Sequence, residues 1–145
     1  MEIRKALEAE AQVIAQISRA ARQEAMPYLP NLHTPAEDLA FFESEISTSD
    51  CRVSLIGGQI VGFGCVRDGW LNHLYVLPDF QGLGVGSALL TNFERSIEQF
   101  WVFARNTKAR QFYVARGFIE VEETDGSGNE ENEPDVRFVS KESGS

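Results

Sequence analysis

Apolar positions along this chain change period several times, and each change marks an element. Ile3 to Ala6 reads as a short strand. From Ala9 to about Ala25 the run is alanine-rich, with Ala11, Ile14, Ile17 and Ala21 on one helical face, and it ends before Pro27. A loop with prolines at 27 and 30 leads to Thr34, where Pro35 at the first helical position and Glu37 three residues after the cap predict a second helix with Leu39, Phe42 and Ile46 on its apolar face. The pattern then turns β-like. Cys51 to Ile56 and Gln59 to Val66 are joined by Gly57-Gly58, a two-residue hairpin turn that needs positive φ, and Trp70 to Val76 follows the turn signal Asp68-Gly69. These three runs predict an antiparallel meander. Helical spacing returns with Val85, Ala88, Leu89, Leu90, Phe93, Ile97 and Phe100. Phe100 to Ala104 is a short apolar run beyond that helix, so it is expected parallel to the third meander strand through a right-handed crossover. A helix from Thr107 to about Arg116, stopped by Gly117, and two strands, Phe118 to Thr124 and Val136 to Ser140, complete the order. Ser143-Gly144-Ser145 reads as a loose end. The whole predicts an α/β domain whose mixed sheet carries helices on both faces.

The third meander strand stops at Pro78, which has no N–H to give a sheet. A glycine-rich turn follows, Gln81-Gly82-Leu83-Gly84-Val85-Gly86-Ser87. Glycine lets the backbone curl with N–H groups pointing inward and lets a ligand come close. Because the turn opens a helix, its free N–H groups and the positive end of the helix dipole make an anion site, with phosphate the usual guest. Ser87 adds a hydroxyl. Two familiar phosphate loops do not fit: a Walker loop needs Lys where Ser87 stands, and a dinucleotide fingerprint needs glycine or alanine at 87 or 89 and an acid about 20 positions on, where Ala104, Arg105 and Asn106 stand.

Composition narrows the classes. At 145 residues, 43% of them hydrophobic, the chain is read as one domain, 1–145, with a single sizeable core. No apolar run approaches a membrane span and the N-terminus lacks the apolar block of a secretion signal, so a cytoplasmic protein without a membrane partner is expected. Cys51 and Cys65 lie in predicted strands without CxxC spacing or a histidine cluster, which reads as buried free thiols and suggests no metal. A net charge of −9 is the wrong sign for a nucleic-acid binder. From Glu120 onward nine carboxylates face only Arg137 and Lys141. That excess either solvates the surface or attracts a cationic acceptor. The polar excursion from Asp125 to Asp135 is expected to be mobile.

Gln81, Gly84 and Gly86 also meet a third pattern, Gln/Arg-x-x-Gly-x-Gly/Ala between a strand and a helix. Asn106-Thr107-Lys108-Ala109-Arg110-Gln111-Phe112-Tyr113-Val114-Ala115-Arg116-Gly117-Phe118 follows the next strand with an Asn, an Ala, a Phe-Tyr pair and a closing Gly-Phe. With both segments in this order the chain resembles the GNAT superfamily of N-acetyltransferases. The resemblance implies the GNAT acyl-CoA N-acyltransferase fold and acetyl transfer from acetyl-CoA, as co-substrate, to a primary amine of a small molecule or peptide by direct attack in a ternary complex, without a metal. No cysteine lies in either motif, which argues against a covalent acetyl-enzyme. A non-catalytic acyl-CoA-binding sensor on the same fold is the alternative, and a homodimer stays open.

The resemblance also assigns roles. Leu74, Tyr75 and Val76 would offer backbone groups to pantetheine, the Val76 N–H lying where a developing oxyanion needs it. Gln81, Gly82, Leu83, Gly84, Val85, Gly86 and Ser87 would cradle the pyrophosphate, Asn106 would bond the CoA arm, and Lys108 or Arg110 would meet the remaining phosphate. Tyr113 matches the general acid, a phenol of ordinary pKa near ~10 that is protonated at neutral pH. Tyr28, Leu32, His33 and Glu37 are acceptor contacts by the same resemblance, although Tyr28 and Leu32 also suit simple packing of their loop. Strand alternation with Val76 on the site face puts Asn72 toward the acceptor and His73 away from it, an order that a β-bulge would swap. His33, His73 or a water relay to Glu24 or Glu37 all remain open as the base.

Overall fold

The computed structural model describes residues 1–93 and 96–141; Ser143–Ser145 lie outside them. Strand β1 (Glu2–Lys5) leads through a 3-10 turn to α1 (Ala11–Ala25), and α2 (Pro35–Thr48) follows. The meander is β2 (Asp50–Ile56), β3 (Gln59–Arg67) and β4 (Trp70–Val76). Then come α3 (Val85–Phe93), β5 (Gln99–Phe103), α4 (Thr107–Ala115), β6 (Ile119–Thr124) and β7 (Asp135–Val139). The seven strands form one mixed sheet in the order β1-β2-β3-β4-β5-β7-β6, with β4 and β5 parallel and the other neighbours antiparallel. This is the predicted element order. The third helix is shorter than its apolar spacing suggested: Ile97 and Phe100 continue the buried side, but Phe100 does so from β5.

Local chemistry accounts for the joints. The Thr34 side chain accepts the Glu37 N–H and the Glu37 carboxylate accepts the Thr34 N–H, the reciprocal box that starts α2. Gly57 and Gly58 turn β2 into β3 at φ 59° and 80°, as a two-residue hairpin demands. On one face α1 and α2 pack against Val53, Leu55, Phe63 and Cys65. On the other, α3 sits on Val61 and the flanking Leu74 and Val76 side chains, and α4 closes over Phe100 and Phe138 through Tyr113. Helix α3 approaches so closely because Gly62 and Gly64 carry no side chain: a Cβ at 64 would lie 2.8 Å from the Phe93 ring. Cys51 and Cys65 are free, buried and opposite each other across β2 and β3. Among the described residues no helix is long and apolar enough to cross a membrane, and no group of three or more His, Cys, Asp or Glu is arranged to hold a metal.

Candidate active site

The sheet has a gap at its centre. Strands β4 and β5 pair only at Trp70 and Gln99, and beyond that point they part. Leu77 donates its N–H to the Val61 carbonyl at 2.8 Å, so the next pair, Val76 opposite Gly62, is a non-bonded one in the antiparallel alternation. The peptide groups of Val76 therefore point away from β3 and into the gap, and those of Leu74 do the same. Tyr75 stands between them opposite Phe63, with its backbone directed to β3. Buried peptide groups are ordinarily paired, so an open row here is a binding feature in its own right.

The glycine turn lies at the wide end of the gap. Gly82 and Gly84 hold φ of 80° and 83°, which side chains resist, and nothing crowds the space a Cβ would fill. Gly86 serves differently: a Cβ there would be 3.2 Å from the Phe112 ring of α4, so its absence lets the two helices touch. The first helical bond runs from Ala88 N–H to the Gly84 carbonyl, leaving the N–H groups of Val85, Gly86 and Ser87 at the open helix terminus. Gln81 ties the turn to the strand end by donating to the Val76 carbonyl at 3.1 Å, and Lys108 reaches the Gln81 side-chain oxygen at 3.5 Å. Asn106 caps α4, its Oδ1 accepting the Ala109 N–H at 3.2 Å. Arg110 is engaged elsewhere, both arms of its guanidinium on Glu120 and a third nitrogen on the Ala104 carbonyl.

Tyr113 projects from α4 into an aromatic cluster of Phe100, Phe112, Phe118 and Phe138. Burial, with Tyr75 adding to it, pushes its phenol well above the ordinary tyrosine value, so the hydroxyl keeps its proton throughout the neutral range. Tyr75 is likewise raised by burial. Tyr75, whose phenol adds to the shift of Tyr113, lines a cavity of about 450 Å³ on the α1–α2 side of the sheet.

That cavity is walled by α1, the loop after it, α2, β4 and the β6–β7 loop. His33 and Asn72 line it, as do Leu32 and Glu37; Tyr28 lies beside it, its hydroxyl buried without a partner and its ring under Arg105 at 3.7 Å. Glu24 is absent from the wall. Alternation alone misplaces β4, because the register passes from Cys65–His73 directly to Val66–Leu71 and Asn72 is the extra residue of a bulge. Leu71 thereby joins Leu74 and Val76 on the α3 side, while His73 and Tyr75 turn to the cavity with Asn72. The site face is the Tyr75 face, and His73 belongs to it. His73 Nε2 lies 3.2 Å from Glu45 Oε2, both side chains largely buried.

The β6–β7 loop is also not the loose excursion its composition suggested. Asn129 clasps it, donating to the Glu133 carbonyl at 2.7 Å and accepting the Glu133 N–H at 3.1 Å, and Gly126 at φ 86° packs directly on the Glu133 backbone. Its acids reach across the cavity mouth: Glu130 to His33 at 3.0 Å, Glu131 to Arg22 at 3.3 Å, and Glu133 to Arg105. Sequence reading missed Arg22, Phe103, Glu130 and Glu131 as wall residues. Only the acid excess after Glu120 hinted at two of them.

Comparison with known proteins agrees with this architecture. The Acetyltransferase (GNAT) domain family matches residues 47–120, the stretch holding β4, the glycine turn, β5 and α4. An uncharacterized N-acetyltransferase of Archaeoglobus fulgidus is 30% identical over 96 residues, covering 54% of this chain and 65% of that protein, so the match spans under two thirds of the relative's length. Among solved structures, apo YjaB from Escherichia coli superposes with a TM-score of 0.79 at 20% identity over 95% of each chain. YncA from Salmonella typhimurium, solved with its cofactor acetyl-CoA, gives 0.72 at 19% identity over 96% of this chain and 91% of that one. With half of its length matched by this family, the chain belongs to the GNAT family of acetyltransferases.

Proposed function

We propose that the protein is an acetyl-CoA-dependent N-acetyltransferase acting by direct attack of a primary amine in a ternary complex, and that residues 1–145 work as one catalytic domain. The observation that carries this reading is the open row of peptide groups on β4 that runs from the glycine turn toward the cavity lined by Tyr75. Acetyl-CoA supplies the activated thioester. Leu74 and Val76 bond its amide-bearing arm across the gap, and the Val76 N–H meets the negative charge that develops on the thioester oxygen. The N–H groups of Gly82 to Ser87 hold the diphosphate, with Gln81 bracing the turn and the free Nδ2 of Asn106 available to the arm. Tyr113 keeps its proton at neutral pH and delivers it to the departing thiolate. Tyr28, His33 and Asn72 border the space for the acceptor, where His33, His73 and the surrounding carboxylates can exchange the proton that the amine must lose.

Isothermal titration of the protein with acetyl-CoA, CoA and ATP tests the reading directly. Selective saturable binding of the CoA species, followed by thiol release on adding amines, is the expected result. Absence of CoA binding removes the proposal, and CoA binding without thiol release from any amine turns it into an acyl-CoA sensor.

A further inference from the structure

The charge pairing of the arginines singles out one residue that neither motif assigns. Eight of the nine described arginines have a carboxylate oxygen within 4.0 Å. Arg116 is the ninth and faces none among the described residues, in a chain of net charge −9 where carboxylates are plentiful. It is not left loose. Its Nε donates to the Ser87 hydroxyl at 2.8 Å, with Nη2 directed at the same oxygen, and its Nη1 donates to the Phe112 carbonyl at 3.0 Å. The guanidinium carbon sits over the Phe112 ring, 3.6 Å from its centroid, the ring against which Gly86 packs.

This arrangement holds a full positive charge at the first turn of α3, beside the unbonded N–H groups of Val85, Gly86 and Ser87. A neutral hydroxyl is a weak partner for a guanidinium, and a planar fork of donors is matched to phosphate oxygens. Lys108, on the Gln81 oxygen at the opposite end of α4, brackets the turn from the other side, roughly 12 Å away at a rise of 1.5 Å per residue. Arg110, the alternative that the motif spacing offers, is bound on both arms by Glu120.

We infer that Arg116 is a phosphate ligand of the acetyl donor, pre-positioned by Ser87 and Phe112, and that it makes the site select the phosphorylated carrier over bare pantetheine. This rests on the acetyl-CoA reading above. The test is calorimetric titration of the wild-type protein and of Arg116→Gln, Arg116→Lys and Arg110→Gln with acetyl-CoA, acetyl-dephospho-CoA and S-acetylpantetheine. Arg116→Gln is expected to weaken acetyl-CoA about tenfold or more, as loss of a charge-assisted bond does. S-acetylpantetheine should bind the wild-type and the variant alike. Lysine should restore part of the affinity, and Arg110→Gln should lose less. An equal loss with acetyl-dephospho-CoA identifies the diphosphate as the partner, and a loss seen only with acetyl-CoA identifies the 3′-phosphate. Unchanged acetyl-CoA affinity in Arg116→Gln overturns the inference, as does an equal loss with S-acetylpantetheine, which would mark a purely structural role. A wild-type protein that binds no CoA species fails the parent reading instead.

Discussion

The two halves of the site are built by different means. On the donor side, everything from Leu74 to Ser87 and from Asn106 to Arg116 lies in two short stretches, and its contacts run between two helices, one turn and one strand end. On the acceptor side, Arg22 meets Glu131 and His33 meets Glu130 across 109 and 97 positions of sequence. The donor side is fixed by backbone conformation, which few residues can supply. The acceptor side is fixed by side-chain pairs between α1, the loop after it and the β6–β7 loop, which many residues can supply. That difference predicts a fixed co-substrate and an adaptable acceptor pocket. Substitutions should separate the two functions accordingly.

The largest separation should come from Tyr113→Phe. Losing a general acid costs about 10²-fold or more in rate, while the donor contacts are made by backbone groups that the change leaves alone. Stopped-flow or steady-state thiol release should fall by that factor with acetyl-CoA affinity retained by calorimetry. An unchanged rate would remove Tyr113 from the chemistry.

Next come the glycines, which break the donor side in two distinguishable ways. Gly64→Ala puts a Cβ 2.8 Å from the Phe93 ring and 3.3 Å from the His73 carbonyl, and overpacking of this kind costs about 1–3 kcal/mol of stability. Thermal melting should show it. Gly84→Ala meets no neighbour but must hold φ of 83°, at a cost of roughly 1–2 kcal/mol. If the turn relaxes to relieve that strain, the loss appears as roughly tenfold weaker acetyl-CoA binding in a protein that melts almost normally.

These contrasts also explain what could be read in the chain beforehand. The element order follows from period changes, hairpin glycines and the Thr34–Glu37 box, all of which act within a few residues. The donor side follows from two motifs for the same reason. Which face of β4 meets the acceptor did not follow, because a single extra residue at Asn72 reverses the alternation and nothing in Leu71-Asn72-His73 announces it. The β6–β7 loop looked mobile because its acids were counted without the Asn129 clasp that orders them. Asn129→Ala should therefore loosen that loop, seen as faster amide exchange in residues 125–135, and raise the KM of whichever amine is turned over. Acetyl-CoA affinity should stay as it was; a matching loss there would show that the two sides are coupled through Glu133, Arg105 and the start of α4.

The smallest effect, and the one that isolates the acceptor side most cleanly, is on His33. Its imidazole lies against Glu130, with Glu37 and Asp38 adding weaker attraction, and together they raise its pKa above the ordinary 6.5. The group is exposed, so the tether it forms is modest and screened by salt. A raised folded-state pKa means that the contribution is complete below the unfolded value and disappears as pH climbs through the folded one. The β6–β7 loop should therefore be held most firmly on the acid side of pH 6.5 and released above the raised value, with no counterpart in the donor turn. Proton NMR of the two histidines, His33 and His73, should find the His33 titration shifted upward in the wild-type protein. Glu130→Gln removes the hydrogen-bonded carboxylate that contributes most and should bring it back toward the ordinary value, leaving only the weaker pull of Glu37 and Asp38. An unshifted His33 would mean that Glu130 does not bridge the mouth in solution, and the acceptor pocket would then be open on that side at every pH.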